Sequence, residues 1–349
     1  MDVTPLLNDF AIASASAAPE HLGAGLIHDA WKVQAGESAY VLQRINTTVF
    51  RQPEALENNL DQLTRHFSKE AGSPVFLPPI RSRSGSIHVT TDAGMWRLFP
   101  YVEDCASVST AQDPNQAFET ARLFGRFVRE LATLPASALQ PSLPGFHDLP
   151  LRFRQFETAL QQGIPNRLRE AAELIYFLQQ QQHLVSTVQS RIRCGAWPRR
   201  IYHHDAKTGN VLLDAKGVGR YVIDYDTVMP GYVYSDAGDL LRTCLCPVGE
   251  EETRFEAIEA RADYFRAVIE GYLPELKGIL TTAEQADLLL SGEIMIYLQS
   301  LRFLTDFLQG DAYYGSRYPG HNRVRAQNQA TLLQRLQEVK PDWERWLPA

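Results

Sequence analysis

Between Ile201 and Asp226 the chain reads IYHHDAKTGNVLLDAKGVGRYVIDYD. A short β-like run ends in His203, a polar loop carries Asp205 to Asn210, and the apolar residues Val211, Leu212 and Leu213 follow. Lys216 to Gly219 supply a glycine-containing turn before a second apolar run, Tyr221, Val222 and Ile223. Two β-like runs around such a turn make a hairpin. That hairpin sets Asp205, Asn210 and Asp224 near one another, and the rest of the fold has to be built around it. Three oxygen-bearing side chains suit a hard cation such as Mg²⁺, which binds through one or two carboxylates together with substrate phosphates.

The spacing narrows the chemistry. His203-His204-Asp205, four residues, then Asn210 has the register of the H-x-D-x-x-x-x-N catalytic loop of kinases, and Asp224 follows where those enzymes place a metal-binding aspartate. Lys207 falls where many such loops carry a lysine that faces the transferred phosphate. An isolated H-x-D reads as a solvated loop. The asparagine, the hairpin and the second aspartate in register favour the functional reading.

Upstream, Gly23 and Gly25 lie in a strand-rich stretch from His21 to Val33, as in a hairpin whose backbone N–H groups approach phosphates closely. A third glycine is missing, and His28 stands in that region. Tyr40 to Ile45 reads as a strand. Counting V-x-x-K places Arg44 in the phosphate-binding lysine slot, with Gln43 the alternative by strand alternation. Arginine keeps the charge but has a forked geometry. Pro53 to Phe67 spaces Leu56, Leu60, Leu63 and Phe67 as a helix, from which Glu57, or its competitor Glu54, would face the strand. Ser86–Thr91 and Met95–Phe99 read as two more strands. Phe99 to Glu103 reads as a connector, in which the backbone of Pro100, Tyr101 and Val102 is available to an adenine edge.

From Asn115 onward the period becomes helical. Phe118, Ala121, Phe124, Val128 and Leu131 recur at three- and four-residue steps. One long helix is expected from Asn166 to about Ile192, and further helices over Glu251–Tyr272, Thr282–Leu308 and Asn322–Val339. Ser235 or Asp236 reads as the cap of a helix that follows, with Asp239 as a brace for the catalytic loop. At 349 residues two lobes are expected. The fold class is therefore α+β: a small antiparallel-sheet N-terminal lobe over residues 1–103, ending in the connector, and a mostly helical C-terminal lobe over 104–349.

Bulk properties exclude several classes. A net charge of −7 argues against a general nucleic-acid binder. Cys105, Cys194, Cys244 and Cys246 lack zinc or redox spacing and read as free thiols. No basic leader precedes an apolar run at the N-terminus, and no run of about eighteen apolar residues occurs. A cytoplasmic protein without a membrane partner is the expectation, and oligomeric state is left open.

These stretches resemble the phosphotransferase family that includes aminoglycoside phosphotransferases and choline kinases, which has a bilobal protein-kinase-like fold. LQRINTTVF (Leu42–Phe50), IDYDTVMPG (Ile223–Gly231), SDAGDLLRT (Ser235–Thr243) and RFLTDFLQGDAYY (Arg302–Tyr314) resemble, more narrowly, the N-acetylhexosamine 1-kinase group. The resemblance implies ATP- and Mg²⁺-dependent phosphorylation of the anomeric hydroxyl of a small sugar acceptor. It makes Asp205 the catalytic base in contact with substrate, and Asn210 and Asp224 the metal ligands. Asp226 would be a further acidic member, Arg44 would reach the nucleotide phosphates, and His28, Arg302 and Tyr313 would line the sugar pocket. The rival readings are a kinase of another small alcohol (an aminoglycoside, choline or homoserine) and a nucleotide-binding regulator without catalysis.

Overall fold

Residue alternation in the N-terminal strands decides which side chains meet the rest of the molecule. The computed structural model describes residues 3–22, 28–69 and 75–348. Strands β1 (Glu20–His21), β2 (Asp29–Ala35), β3 (Ser38–Ile45), β4 (His88–Thr91) and β5 (Gly94–Pro100) form an antiparallel sheet in the order β1-β2-β3-β5-β4. Side chains alternate between the two faces of a strand. Trp31, Leu42 and Leu98 share one face and pack with Leu6, Leu7 and Phe10 of and beside helix α1 (Thr4–Asp9) into a small apolar core. Ala30, Gln43, Arg97 and His88 form a register row across four strands on the other face. Helix α2 (Pro53–Phe67) has Pro at its first position and turns Leu56, Leu60 and Leu63 inward.

The C-terminal lobe is mostly helical. It contains α3 (Pro114–Leu131), α4 (Leu149–Gln162), α5 (Pro165–Glu170), α6 (Ala172–Gln180), α7 (His183–Arg193), α8 (Asp236–Leu245), α9 (Ala262–Glu275), α10 (Thr282–Ala286), α11 (Leu288–Leu308) and α12 (His321–Trp343). Asp113 caps α3 by accepting from the Gln116 amide. Nearly every residue of α11 is buried, as expected of a helix apolar all round that runs through a core. Five short strands carry the hairpin region: β6 (Cys105–Ala106), β8 (Val211–Asp214) and β9 (Gly219–Val222) form one sheet, and β7 (Arg200–Tyr202) pairs with β10 (Met229–Gly231). Gly217, at φ +76°, takes the left-handed turn between β8 and β9. The architecture is bilobal α+β, as the sequence implies. No helix among the described residues is long and apolar enough to cross a membrane.

Three helical expectations need correction. The single helix over residues 166–192 is three helices, α5, α6 and α7, broken at Ala171 and again at Gln181–Gln182. The buried Tyr297 hydroxyl donates to the Leu178 carbonyl in the last turn of α6, and Gln337 donates to the Gln181 side chain beside the break. Residues 251–260 are irregular apart from one short turn, and α9 begins only at Ala262. There the Glu252 carboxylate accepts from the Thr253 and Arg254 amides, and Asn328 donates to the Gly249 and Glu252 carbonyls. Such side-chain-to-backbone bonds compete with helix. The helix over 282–308 is interrupted at Asp287, whose carboxylate takes Trp197 and Arg191.

Candidate active site

Strand β7 delivers His203 and His204 to the loop, and Asp236 at the start of α8 holds them. The Asp236 carboxylate accepts the His203 amide at 2.9 Å and the His204 amide at 2.7 Å. Burial pushes its pKa up to about 7, against the pull of those two amides. His204 adopts φ +66°, and its Nε2 lies 3.2 Å from the Met229 carbonyl. His203 Nε2 lies 3.0 Å from the Ile223 carbonyl, so the loop is tied directly to the residue before Asp224. Asp239, one turn into α8, pairs with Arg242, and neither touches Asp205 by hydrogen bond.

Asp205 is held by one oxygen only. Lys207 Nζ at 2.8 Å and Asn210 Nδ2 at 2.7 Å both donate to Oδ2, and Asn210 Nδ2 also reaches the Asp205 carbonyl at 2.8 Å. Among the described residues Oδ1 has no protein partner. Burial disfavours the charge, but Lys207, by its charge and its hydrogen bond, outweighs it and keeps the carboxyl below the usual range. Asn210 thus has its amide nitrogen committed and its Oδ1 available.

Asp224 is placed beside Asn210 by the Ile223 amide, which donates to the Asn210 carbonyl at 2.9 Å. The residue sits in the left-handed region at φ +64°. Its carboxylate has no hydrogen-bond or ion-pair partner among the described residues. Burial pushes its pKa up, and the neighbouring Asp226 and Asp205 add to the shift. An unpartnered carboxylate raised in this way is the environment in which a bound cation is most strongly stabilised. The oxygen of Asn210 with this carboxylate fits Mg²⁺.

His28 meets Asp226, not open space. Its Nε2 lies 2.5 Å from Asp226 Oδ2, and its Nδ1 accepts the Asn46 amide at 3.0 Å. The Nδ1 lone pair is therefore occupied, and Nε2–H is the donor. Ligand atoms of His28, Asp224 and Asp226 lie within 4.8 Å of one another. A metal-binding imidazole needs a free lone pair, which His28 lacks here, and the Asp226 carboxylate is already taken by Arg97, which leaves the Asp224 carboxylate and Asn210 Oδ1 as the candidate cation-binding oxygens.

The remaining expected residues are scattered more widely. Arg44 turns to the opposite face of the sheet and pairs with Asp29 at 2.5 Å, whereas Gln43 lies on the inner face. Glu57 accepts from Ser86 at 2.5 Å and makes no contact with Arg44. The Tyr101 amide is committed to the Ala39 carbonyl at 3.0 Å, and Pro100 has no N–H, so of these three residues only Val102 has an amide without a backbone partner among the described residues. Lys32 lies 3.8 Å over the Tyr101 ring. Gly23 and Gly25 lie outside the described residues. Arg302 packs over the Phe146 ring at 4.8 Å and donates to Gln299. It connects to the loop through Phe146, His147 and His204: the first two rings stack at 4.3 Å, and His147 meets His204 in a tilted contact at 5.3 Å. Tyr313 is 66% exposed, with its amide anchored on Asp306.

Sequence reasoning missed Arg97. This inner-face residue of β5 is 1% exposed and donates to Asp226 through both terminal nitrogens and to Gln43 through Nε. The signal was present: an arginine between Trp96 and Leu98 in an otherwise apolar strand requires a buried partner.

Known proteins can be set beside this geometry. The chain is similar to a microcompartment-associated aminopropanol kinase, with a TM-score of 0.66, 16% identity and 98% of each chain covered. It is similar to a spectinomycin phosphotransferase solved with ADP and spectinomycin, at TM-score 0.59 and 13% identity, over 96% of this chain and 98% of that one. A choline/ethanolamine kinase family protein from Mesorhizobium loti gives TM-score 0.56 and 15% identity, over 99% and 97% respectively. Identities this low show the shared fold. The sequence model of the phosphotransferase enzyme family matches residues 20–276, which are most of the chain. The protein therefore belongs to the phosphotransferase enzyme family.

Proposed function

We propose that this phosphotransferase is an ATP- and Mg²⁺-dependent kinase that phosphorylates the anomeric hydroxyl of an N-acetylhexosamine, releasing the sugar 1-phosphate. The observation that carries the kinase reading is the division of labour at Asp205. One carboxylate oxygen is fixed by Lys207 and Asn210, and the other is free to take a proton from an acceptor hydroxyl. When bound, Mg²⁺ supplies charge neutralisation at the transferring phosphoryl group, held by Asn210 Oδ1 and the Asp224 carboxylate. Lys207 orients Asp205 and brings a positive charge beside the transferred group. Residues 1–103 bind the nucleotide, and 104–349 hold the acceptor. Positioning and fixed charge do most of the work in such a transfer. An anomeric hydroxyl is more acidic than an ordinary alcohol, which lessens the demand on a carboxylate held below its usual pKa.

The acceptor side supports a neutral polyol. Arg302 has no carboxylate partner among the described residues. The nearby acids are already engaged: Asp239 with Arg242, Glu250 with Arg242 and Arg325, and Asp306 with the Tyr313 and Tyr314 amides. None of these three acids is left without a partner for an ammonium group, whereas hydroxyl and acetamido oxygens would find Arg302. The second reading, a kinase of an amino alcohol, is favoured by the names of two similar structures, an aminopropanol kinase and a choline/ethanolamine kinase family protein. An ATP-consumption screen across N-acetylglucosamine, N-acetylgalactosamine, choline and kanamycin separates the two. Turnover confined to choline or kanamycin would discard the sugar.

A further inference from the structure

Kinases of this architecture commonly use a strand lysine paired with a helix glutamate to hold the nucleotide phosphates. Here the inner-face residue of β3 is Gln43, the neighbouring Arg44 faces away onto Asp29, and the helix carboxylate Glu57 is taken by Ser86. The buried ion pair between the lobes lies elsewhere. Arg97 of β5 reaches across to Asp226, with Nη2 at 2.7 Å from Oδ2 and Nη1 on Oδ1. His28, just before β2, donates to the same carboxylate, and its ring stacks on Phe50 at 5.4 Å. From the other side, Ser142 donates to the Asp226 backbone carbonyl at 2.5 Å. Arg97 and Asp226 are 1% and 4% exposed, so the pair is sealed from water.

Resting on the kinase reading above, we propose that Arg97, His28 and Asp226 form an interlobe latch that positions the nucleotide-binding face of the sheet against Asp224. Asp226 acts in it as the acceptor of two N-terminal-lobe donors and not as a metal ligand. All three are positioning residues. Two features of the geometry require the arrangement. Asp226 stands two residues beyond Asp224, with carboxylate oxygens within 4.8 Å, and would be a second unpaired buried acid without its donors. Gln43 also fixes the guanidinium by accepting Nε–H at 2.9 Å, so Arg97 presents its two terminal nitrogens to Asp226 in the planar fork that a carboxylate matches. Lysine offers no such fork, which makes Arg97→Lys a graded test.

The test is calorimetric binding of ADP with Mg²⁺, together with thermal denaturation, on the full chain carrying Arg97→Met, Arg97→Lys, His28→Gln, Asp226→Asn, and the Arg97→Met/Asp226→Asn pair. A positioning shell of this kind is worth roughly 10–100-fold when lost. ADP affinity is expected to fall by that factor in Arg97→Met and Asp226→Asn and by less in Arg97→Lys and His28→Gln. The double variant should be no weaker than the worse single, while the KM for the acceptor stays within about two-fold of wild type. The milder substitutions keep the question answerable if Arg97→Met does not fold. A melting temperature that drops while ADP affinity is unchanged would reduce the latch to a structural pair. Multiplying effects in the double variant would separate the two residues, and loss of Mg²⁺ dependence in Asp226→Asn alone would make Asp226 a ligand. A wild-type chain that binds no ADP overturns the kinase reading itself, whereas wild-type binding with indifferent variants overturns only the latch.

Discussion

Asn210 donates to Asp205 through Nδ2 at 2.7 Å, and in doing so turns its own Oδ1 away from the carboxylate, where it has no partner among the described residues. On the proposed reading, one side-chain amide orients the proton acceptor with one end and offers a cation ligand with the other. Lys207 completes the hold on the same Asp205 oxygen, so that a single orientation of the carboxylate is maintained before any substrate arrives.

Asp205→Asn removes the proton acceptor and keeps the size. Turnover is expected to fall by roughly 10²–10⁴-fold, the range over which a general base contributes, with ADP affinity retained. Steady-state rates and calorimetry on the same sample check both halves. Full activity in the purified variant would take Asp205 out of the role.

Removing Asp224 or the Asn210 oxygen should act on the metal. Asp224→Ala and Asn210→Ala are expected to raise the Mg²⁺ concentration needed for half-maximal ADP binding, by roughly ten-fold or more, on the scale of losing one charged hydrogen-bonded contact. A Mg²⁺ titration that superimposes on that of wild type would contradict the assignment.

Acid should destabilise the fold through its buried histidines. Burial pushes His203 down to about 4 and His204 to about 3. Both values lie below that of an unfolded histidine, about 6.5, so as pH falls the unfolded chain is protonated first. Stability is then unaffected by these groups above about pH 6.5. It declines below that, by up to about 1.4 kcal/mol per pH unit for each histidine. His204→Asn, a residue type that tolerates the positive φ at this position, should remove one histidine's share of the slope in urea titrations between about pH 6.5 and 4. An unchanged slope would contradict it.

Gly231 is needed for the same loop. A Cβ at that position would meet His204 Cε1 at 2.3 Å, so Gly231→Ala must displace the ring that lies against the Met229 carbonyl. A loss of about 1–3 kcal/mol is expected from overpacking, read as a lower urea midpoint. Combining it with His204→Asn, a smaller side chain, should recover part of the loss. Equal midpoints for wild type and Gly231→Ala would refute the clash.

The sequence was most legible where contacts are local. Asp205, Asn210 and Asp224 are brought together by one hairpin and its neighbouring loop, so spacing alone carried the information. The phase of β3 was not legible. Tyr40, Leu42 and Arg44 alternate with Val41, Gln43 and Ile45, and each set is part apolar and part polar, so neither face declares itself. The register with β5, a non-local pairing, decided that Gln43 and Arg97 face inward and Arg44 outward. The break at Gln181–Gln182 lies likewise beside distant partners, Tyr297 and Gln337, that no helical period reveals.

The most direct measurement of the central claim is a ³¹P NMR spectrum of the wild-type protein with ATP, Mg²⁺ and N-acetylglucosamine or N-acetylgalactosamine. The account predicts loss of the γ-phosphate signal and a new phosphomonoester coupled to the anomeric proton, absent in the Asp205→Asn sample. ATP that persists, or that yields only free phosphate, with a folded protein and each of these acceptors would contradict it.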